Sequence, residues 1–223
     1  MNSSVKSRLI CFLILFISFS NVSLLKAQDQ LFLRFSGVIP QAQFADYAGV
    51  GVNVGIQYCE EFKVKGLRLW LSGDFLLNPM KNSLRKKIEE NYTHQVGSVD
   101  LTFPKILNVP IFLGIMYSYR ISETIDLYGN AGLGMDLFFP TKFMVEQGSK
   151  KIMQTYKYSL KPAFKGGIGV LLDNKVSIDV SYQYLGKQTI SYQTFIPGYW
   201  TIPGSEYTDV RVLSICMGIN LKN

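Results

Sequence analysis

The sequence predicts an all-β protein, an eight-stranded antiparallel up-and-down transmembrane β-barrel. Three observations support this prediction: apolar residues alternate with small or polar ones, short connections alternate with long ones, and the chain begins with an export signal. The clearest alternation is Val50-Gly51-Val52-Asn53-Val54-Gly55-Ile56-Gln57-Tyr58-Cys59. Because successive strand side chains point to opposite faces, one face of this strand is apolar and the other is glycine-rich and uncharged. Such a small, uncharged face suits a crowded barrel interior. The apolar face is then expected to contact lipid.

Seven further segments carry the same period of two, and most apolar faces span the ~9–11 residues that a tilted membrane strand requires. In chain order, the eight segments with their outward-facing apolar residues are 31–38 (Leu31, Leu33, Phe35), 50–59 (Val50, Val52, Val54, Ile56), 67–75 (Leu67, Leu69, Leu71, Phe75), 109–119 (Val109, Ile111, Leu113, Ile115, Tyr117, Tyr119), 125–137 (Ile125, Leu127, Ala131, Leu133, Met135, Leu137), 163–172 (Phe164, Ile168, Val170, Leu172), 176–184 (Val176, Ile178, Val180, Tyr182, Tyr184) and 213–221 (Leu213, Ile215, Met217, Ile219, Leu221).

The connections between these segments differ in length in a regular way. Those at 60–65, 120–124 and 173–175 are short, whereas those at 78–108, 139–159 and 186–209 are long. Short turns at one rim and long loops at the other are typical of outer-membrane barrels. A secreted β-sandwich is the alternative, because alternation alone also fits a sandwich.

Residues 1–27 are predicted to be a cleaved signal peptide. Two cations precede the apolar run 9–19, and Ala27 marks a cleavage point. The run is shorter than the ~20 residues of a transmembrane helix. Cleavage leaves residues 28–223 as one outer-membrane barrel domain and lowers the formal net charge from +7 to about +4. This mild charge, without a basic stripe interleaved with aromatic residues, does not indicate nucleic-acid binding.

The residues assigned to the interior include both signs of charge. Eight strands enclose a space only just wide enough for side chains to fill, and buried charges must be paired there. We therefore expect a salt-bridge network that seals the lumen, with Arg68 and Asp179 joined to Asp74, Asp126 or Lys165. A gated pore or a small-ligand site is the alternative. The charged residues assigned to the interior are Arg34, Arg68, Asp74, Asp126, Asp136, Lys165 and Asp179.

The sequence offers little support for catalysis or for a cofactor. The single histidine, His94, lies in a long connection near Ser98 and Asp100, and nearness in sequence is weak support for a catalytic triad. One histidine and the separated Cys59 and Cys216 do not supply a tetrahedral metal site. Since strands two apart lie roughly 10 Å from each other, both cysteines are predicted to be free thiols. We expect no enzyme activity, no cofactor and no metal.

The long connections are the remaining place for function. The first is charged and has the potential to form a helical turn. Its cations either face lipopolysaccharide phosphates, together with Lys142, Lys150, Lys151 and Lys157, or belong to a loop that is only solvated. The last connection packs aromatic residues between prolines. These residues suit contact anchors for another envelope protein, and equally a cap folded back over the barrel or part of the outer aromatic girdle. The contact candidates are Arg85, Lys86, Lys87, Phe195, Tyr199 and Trp200.

Several segments together resemble a known family. Leu107-Asn108-Val109-Pro110-Ile111-Phe112-Leu113-Gly114 and Tyr128-Gly129-Asn130-Ala131-Gly132-Leu133-Gly134 are similar to consecutive strands of the PorT-like outer-membrane β-barrel family of Bacteroidetes, which are small barrels of the OmpA/OmpX type. The resemblance implies a Gram-negative outer membrane and a non-enzymatic structural or interaction role, with membership of a protein-secretion or gliding apparatus as one form of it. A narrow channel and an outer-membrane lipid-modifying enzyme are the alternative functions.

Overall fold

The computed structural model describes residues 29–96, 100–147, 150–195 and 202–222. The predicted signal peptide lies outside the described residues. The strands are β1 (Gln30–Gln41), β2 (Gly51–Glu61), β3 (Leu67–Pro79), β4 (Asp100–Thr102), β5 (Lys105–Arg120), β6 (Ile125–Pro140), β7 (Phe143–Gln147), β8 (Lys150–Tyr156), β9 (Ser159–Leu172), β10 (Val176–Phe195) and β11 (Ile202–Asn220), and the helices are α1 (Phe44–Tyr47) and α2 (Asn82–Val96).

Eight of these strands form a closed antiparallel barrel, as the sequence predicts. Their order around the barrel is β1-β2-β3-β5-β6-β9-β10-β11. The barrel closes where β11 pairs with β1, with Asn220 opposite Phe32 and Arg211 opposite Gln41. Closure pairs the edges of the sheet with each other, so the barrel wall has no open edge.

The predicted direction of the side chains is confirmed along the barrel strands. Outward-facing apolar residues are exposed, with Leu133 at 75% and Ile168 at 69%, whereas the inward-facing Phe112 and Gln183 are fully buried. A continuous apolar outer surface of this kind requires a non-aqueous surrounding. Within the part of the chain that the structure describes, neither helix has the length and apolar character needed to cross a membrane.

Short turns connect the barrel strands at the end where β1 begins and β11 ends. The turn after β2 includes Gly66, whose φ of +82° is readily adopted only by glycine. The turn after β9 places Asp173 and Asn174 at φ of 50° and 55°, a left-handed conformation that Asp and Asn tolerate better than other side chains. This end of the barrel is the periplasmic end, since outer-membrane barrels have their short turns there.

In their described residues, the three long connections contain a helix and strands, which corrects the sequence-based expectation of loops. The first contains α2, a helix of 15 residues, instead of a helical turn. β10 and β11 stay paired beyond the barrel from Lys187 opposite Asp209 up to Thr194 opposite Ile202, after a bulge at Tyr184/Lys187. β8 pairs with the upper end of β10, β7 with β8, and β4 with β7. We call α2, β4, β7, β8 and the upper parts of β10 and β11 the outer extension.

Candidate functional site: the barrel interior

The first of the two buried ion pairs found among the described residues joins β1 to β10. Arg34 Nη2 donates to both carboxylate oxygens of Asp179, at 2.9 and 2.8 Å. The other guanidinium nitrogens donate to Cys216 Sγ at 3.1 Å and to Gln57 Oε1. The hydroxyl of Tyr128 donates to Asp179 at 3.0 Å. The two charged side chains are 3% and 0% exposed, so this pair is both removed from water and fully hydrogen-bonded, which is the condition for tolerating buried charge.

The second ion pair crosses the lumen. Lys165 of β9 lies 3.0 Å from Asp74 of β3, and β5 and β6 separate these two strands in the wall. Asn53 donates to the other carboxylate oxygen at 3.2 Å. The Lys165 ammonium also lies 5.9 Å from the ring centre of Trp70 and 5.6 Å from that of Phe112, within the range of cation–π attraction. This ion pair therefore joins two strands that are not neighbours in the wall, across the interior of the barrel.

Trp70 lies beside the Lys165–Asp74 ion pair, where one glycine of β5 and one of β6 make room for its indole ring. Its indole Nε1 donates to the carbonyl of Ile115 at 2.9 Å. A Cβ atom at Gly114 would lie 2.7 Å from the indole ring, and one at Gly132 would lie 2.6 Å from it. Both distances are shorter than van der Waals contact, so only glycine allows the indole to lie against these strands.

The seven charged residues assigned to the interior are all buried, but they do not form one network. Arg68 donates to Gln30 at 2.8 Å, at the periplasmic end. Among the described residues, the expected network of Arg68 and Asp179 with Asp74, Asp126 or Lys165 does not form, because Arg68 hydrogen-bonds Gln30 and Asp179 pairs with Arg34. Asp126 pairs at 3.0 Å with Arg120, whose side chain is 58% exposed. Asp136 accepts a hydrogen bond from Gln188 at 3.0 Å at the outer end.

The sequence did not predict two of these hydrogen-bond partners, Gln30 and Gln188, as interior residues. Gln30 precedes the first predicted segment, although it has the same inward parity as Arg34. Gln188 lies in a region assigned to a loop, beyond the bulge that shifts the parity of β10. The inward-facing series Phe32, Arg34, Ser36 reaches Gln30 when it is continued one step towards the N-terminus. The bulge in β10 changes which residues face inward, so the alternation does not mark Gln188.

The contact candidates of the long connections lie in the outer extension or outside the described residues. The guanidinium of Arg85 lies 4.9 Å from the Phe103 ring centre and 3.9 Å from Glu89. Lys86 and Lys87 are exposed on α2. The backbone of Phe195 ends β10 opposite Met153. Placement of Tyr199, Trp200, Ser98 and the His94 side chain falls outside what the structure describes.

The described residues contain no group of three or more metal-ligating side chains placed to hold a metal ion. Cys59 and Cys216 are buried free thiols, in agreement with the sequence-based expectation. Both are used as weak hydrogen-bond acceptors, Cys59 from Gln57 at 3.3 Å and Cys216 from Arg34. The interior therefore combines these polar groups with buried aromatic and aliphatic side chains such as Trp70, Phe112 and Phe138.

No protein-family model matches the chain, and neither does any curated protein. Solved structures do resemble it. A major outer-membrane protein of Thermus thermophilus is similar with a TM-score of 0.51 and 10% identity, over 87% of this chain and all of that one. OprG of Pseudomonas aeruginosa has a TM-score of 0.49 at 13% identity, over 87% of this chain and 96% of its own. Ail, the attachment invasion locus protein of Yersinia pestis, has a TM-score of 0.44 at 15% identity, over 86% of this chain and 95% of its own.

At these identities the likeness establishes the fold alone. The closed barrel, its exposed apolar outer surface and the separation of short turns from long connections then determine the location. The chain is a small outer-membrane β-barrel protein. Its outer surface along the barrel strands is apolar, and its buried charged residues face inward together with aromatic and aliphatic side chains.

Proposed function

We propose that this barrel is a non-enzymatic interaction protein that holds the outer extension as a binding surface for another envelope protein. The observation that carries the proposal is the continuation of β10 and β11 beyond the barrel as a paired wall, joined there by β8, β7 and β4. The barrel is then the membrane anchor and the extension is the part that meets a partner.

Contacts within the outer extension support this role. The rings of Phe103 and Phe143 lie 5.9 Å apart, and Arg85 of α2 stacks on Phe103. β4 pairs with β7 through Asp100 opposite Glu146. A surface that is already ordered loses less conformational freedom when a partner binds, which favours affinity. Lys86 and Lys87, exposed on α2, offer positive charge to an acidic partner surface.

The resemblance to the PorT-like family suggests a class of partner. A subunit of a protein-secretion or gliding assembly needs an anchor in the outer membrane and a structured surface for its neighbours, and this barrel supplies both. Fold alone does not transfer such a role, so the assembly has to be identified by isolation.

Isolation from native membranes tests the proposal with two matched double variants. Lys86→Glu with Lys87→Glu reverses charge on the outer extension, whereas Lys63→Glu with Lys65→Glu reverses the same charge in the exposed turn after β2. We expect a stoichiometric partner to co-purify with the wild type and the turn variant, and to be lost from the α2 variant. Absence of any stoichiometric partner from the wild type would contradict the proposal.

Two other candidate functions are distinguished from this proposal by experiment. A narrow channel or small-ligand porin requires ion flow through the barrel, which conductance measurements detect. A lipid-modifying enzyme requires activity on lipid A that disappears in His94→Ala, since His94 is the sole histidine of the chain.

A further inference from the structure

A compact patch of cations and aromatic rings lies on the outside of the barrel, at the outer end of the apolar surface. On β11 the outward-facing apolar residues run from Ile219 up to Leu213, and Arg211 is the next outward-facing residue. Arg211 pairs in register with Tyr184 of β10, and Lys187 pairs with Asp209 directly above. Since a tilted strand crosses the apolar core in ~9–11 residues, this patch lies at the outer membrane–water interface.

Aromatic rings hold both cations on the lipid-facing side. The Arg211 guanidinium lies 5.6 Å from the ring centre of Tyr184, and the Lys187 ammonium lies 5.4 Å from that of Tyr207. Lys187 is exposed, and Tyr207 is 64% exposed. Amphipathic rings at this depth are typical of membrane interfaces, where they anchor the barrel and leave the neighbouring charges directed at headgroups.

The charge of the patch is only partly neutralised by the protein. Asp209 lies 3.3 Å from Arg211, and no ion pair with Lys187 is found among the described residues. Further exposed cations lie near the outer ends of the barrel strands, at Lys105, Lys142 and Lys157.

We propose that Lys187 and Arg211 form a binding site for the phosphate group of a glycolipid in the outer leaflet. The site faces lipid at the depth of the headgroups, carries net positive charge and holds its cations against aromatic rings that pack on the sugar or acyl part of the lipid. Phosphate supplies the missing counter-charge and accepts charge-assisted hydrogen bonds from both side chains. This proposal is independent of the protein partner proposed for the outer extension.

Binding of purified full-length protein to two lipid probes tests it, with native mass spectrometry or fluorescence titration in detergent. The probes are bisphosphorylated lipid A and the same lipid after enzymatic removal of both phosphates. We expect the wild type to prefer the phosphorylated lipid by about tenfold or more, since each cation near an anionic lipid surface strengthens attraction roughly fivefold. Lys187→Gln with Arg211→Gln should reduce this preference to about twofold or less, and Lys63→Gln with Lys65→Gln should leave it unchanged.

Equal affinity of the wild type for both probes, or an unchanged preference in the Lys187/Arg211 variant, would overturn the proposal. Vesicles of phosphatidylglycerol provide a third arm, because equally tight binding to them would show general attraction to anionic lipid instead of a glycolipid site. If the double variant does not assemble, the single variant Lys187→Gln replaces it in the binding test, since that side chain is exposed and makes no buried hydrogen bond. Its preference should then fall to about a third or less of the wild-type value, and no change would also overturn the proposal.

Discussion

Arg34 uses all three nitrogens of its guanidinium inside the barrel, and its charge is balanced by Asp179. Replacing Arg34 with Ala leaves the Asp179 carboxylate buried with the Tyr128 hydroxyl as its remaining donor. Loss of one partner of a buried pair typically lowers the free energy of unfolding by ~3–5 kcal/mol. Urea unfolding in lipid vesicles measures this effect, and Lys63→Ala in an exposed turn is the control, with an expected change within about 0.5 kcal/mol.

The double variant Arg34→Met with Asp179→Asn tests the physical cause of that loss. It removes both charges, so no ion remains unpaired in the interior. We expect it to be clearly more stable than Arg34→Ala, because the cost of removing one partner is mainly the desolvated charge left behind. A loss equal to or greater than that of the single variant would show that packing around Arg34, and not charge balance, is the stabilising factor.

Gly132 provides a second residue-scale test, since the Trp70 ring occupies the position of its missing side chain. Gly132→Ala introduces a Cβ atom 2.6 Å from that ring, so the indole must move. Overpacking of this kind costs roughly 1–3 kcal/mol. Gly73→Ala is the matched control, because a Cβ atom there meets nothing within 4 Å. Equal unfolding midpoints for the two variants would contradict the position of Trp70 against β6.

At the scale of the strand, the alternation of side chains makes the effect of a charge depend on its face and depth. Leu133 lies midway along β6 and its outward-facing side chain is 75% exposed. Leu133→Arg should therefore lower the free energy of unfolding by roughly 2–4 kcal/mol. Tyr119, near the periplasmic end of β5, is 65% exposed, and Tyr119→Arg should cost about 0–1 kcal/mol. Reversal of this order in vesicle unfolding experiments would contradict the outward assignment of β6 or its depth.

The sequence predicted all eight barrel strands because lipid on one side and a crowded interior on the other enforce a period of two. It did not predict β4, β7, β8 or the upper parts of β10 and β11. Those segments lie beyond the apolar surface, where both faces of a strand can meet water, so no strong alternation marks them. The pairing of charges also escaped prediction, because Arg34 meets Asp179, and Arg68 meets Gln30, through strand registers that no single strand reveals.

For the whole molecule, we propose that the barrel is a closed anchor and not a conduit. The Lys165–Asp74 link across the lumen, the Arg34–Asp179 pair and Trp70 are all less than 5% exposed and together occupy the interior. An eight-stranded barrel leaves little space beyond that which its own side chains fill. We propose that function resides on the surfaces, at the outer extension and at the lipid-facing patch around Lys187 and Arg211.

Single-channel recording of the purified protein in planar lipid bilayers tests this claim most directly. Reconstitution is checked first by heat-modifiable migration on gels, which shows that folded barrel is present in the membrane. The closed interior predicts that the wild type gives no current steps above the baseline of protein-free bilayers, at either polarity and over prolonged recording. Reproducible, stable current steps from the folded wild type would contradict it and would establish a conducting path through the barrel.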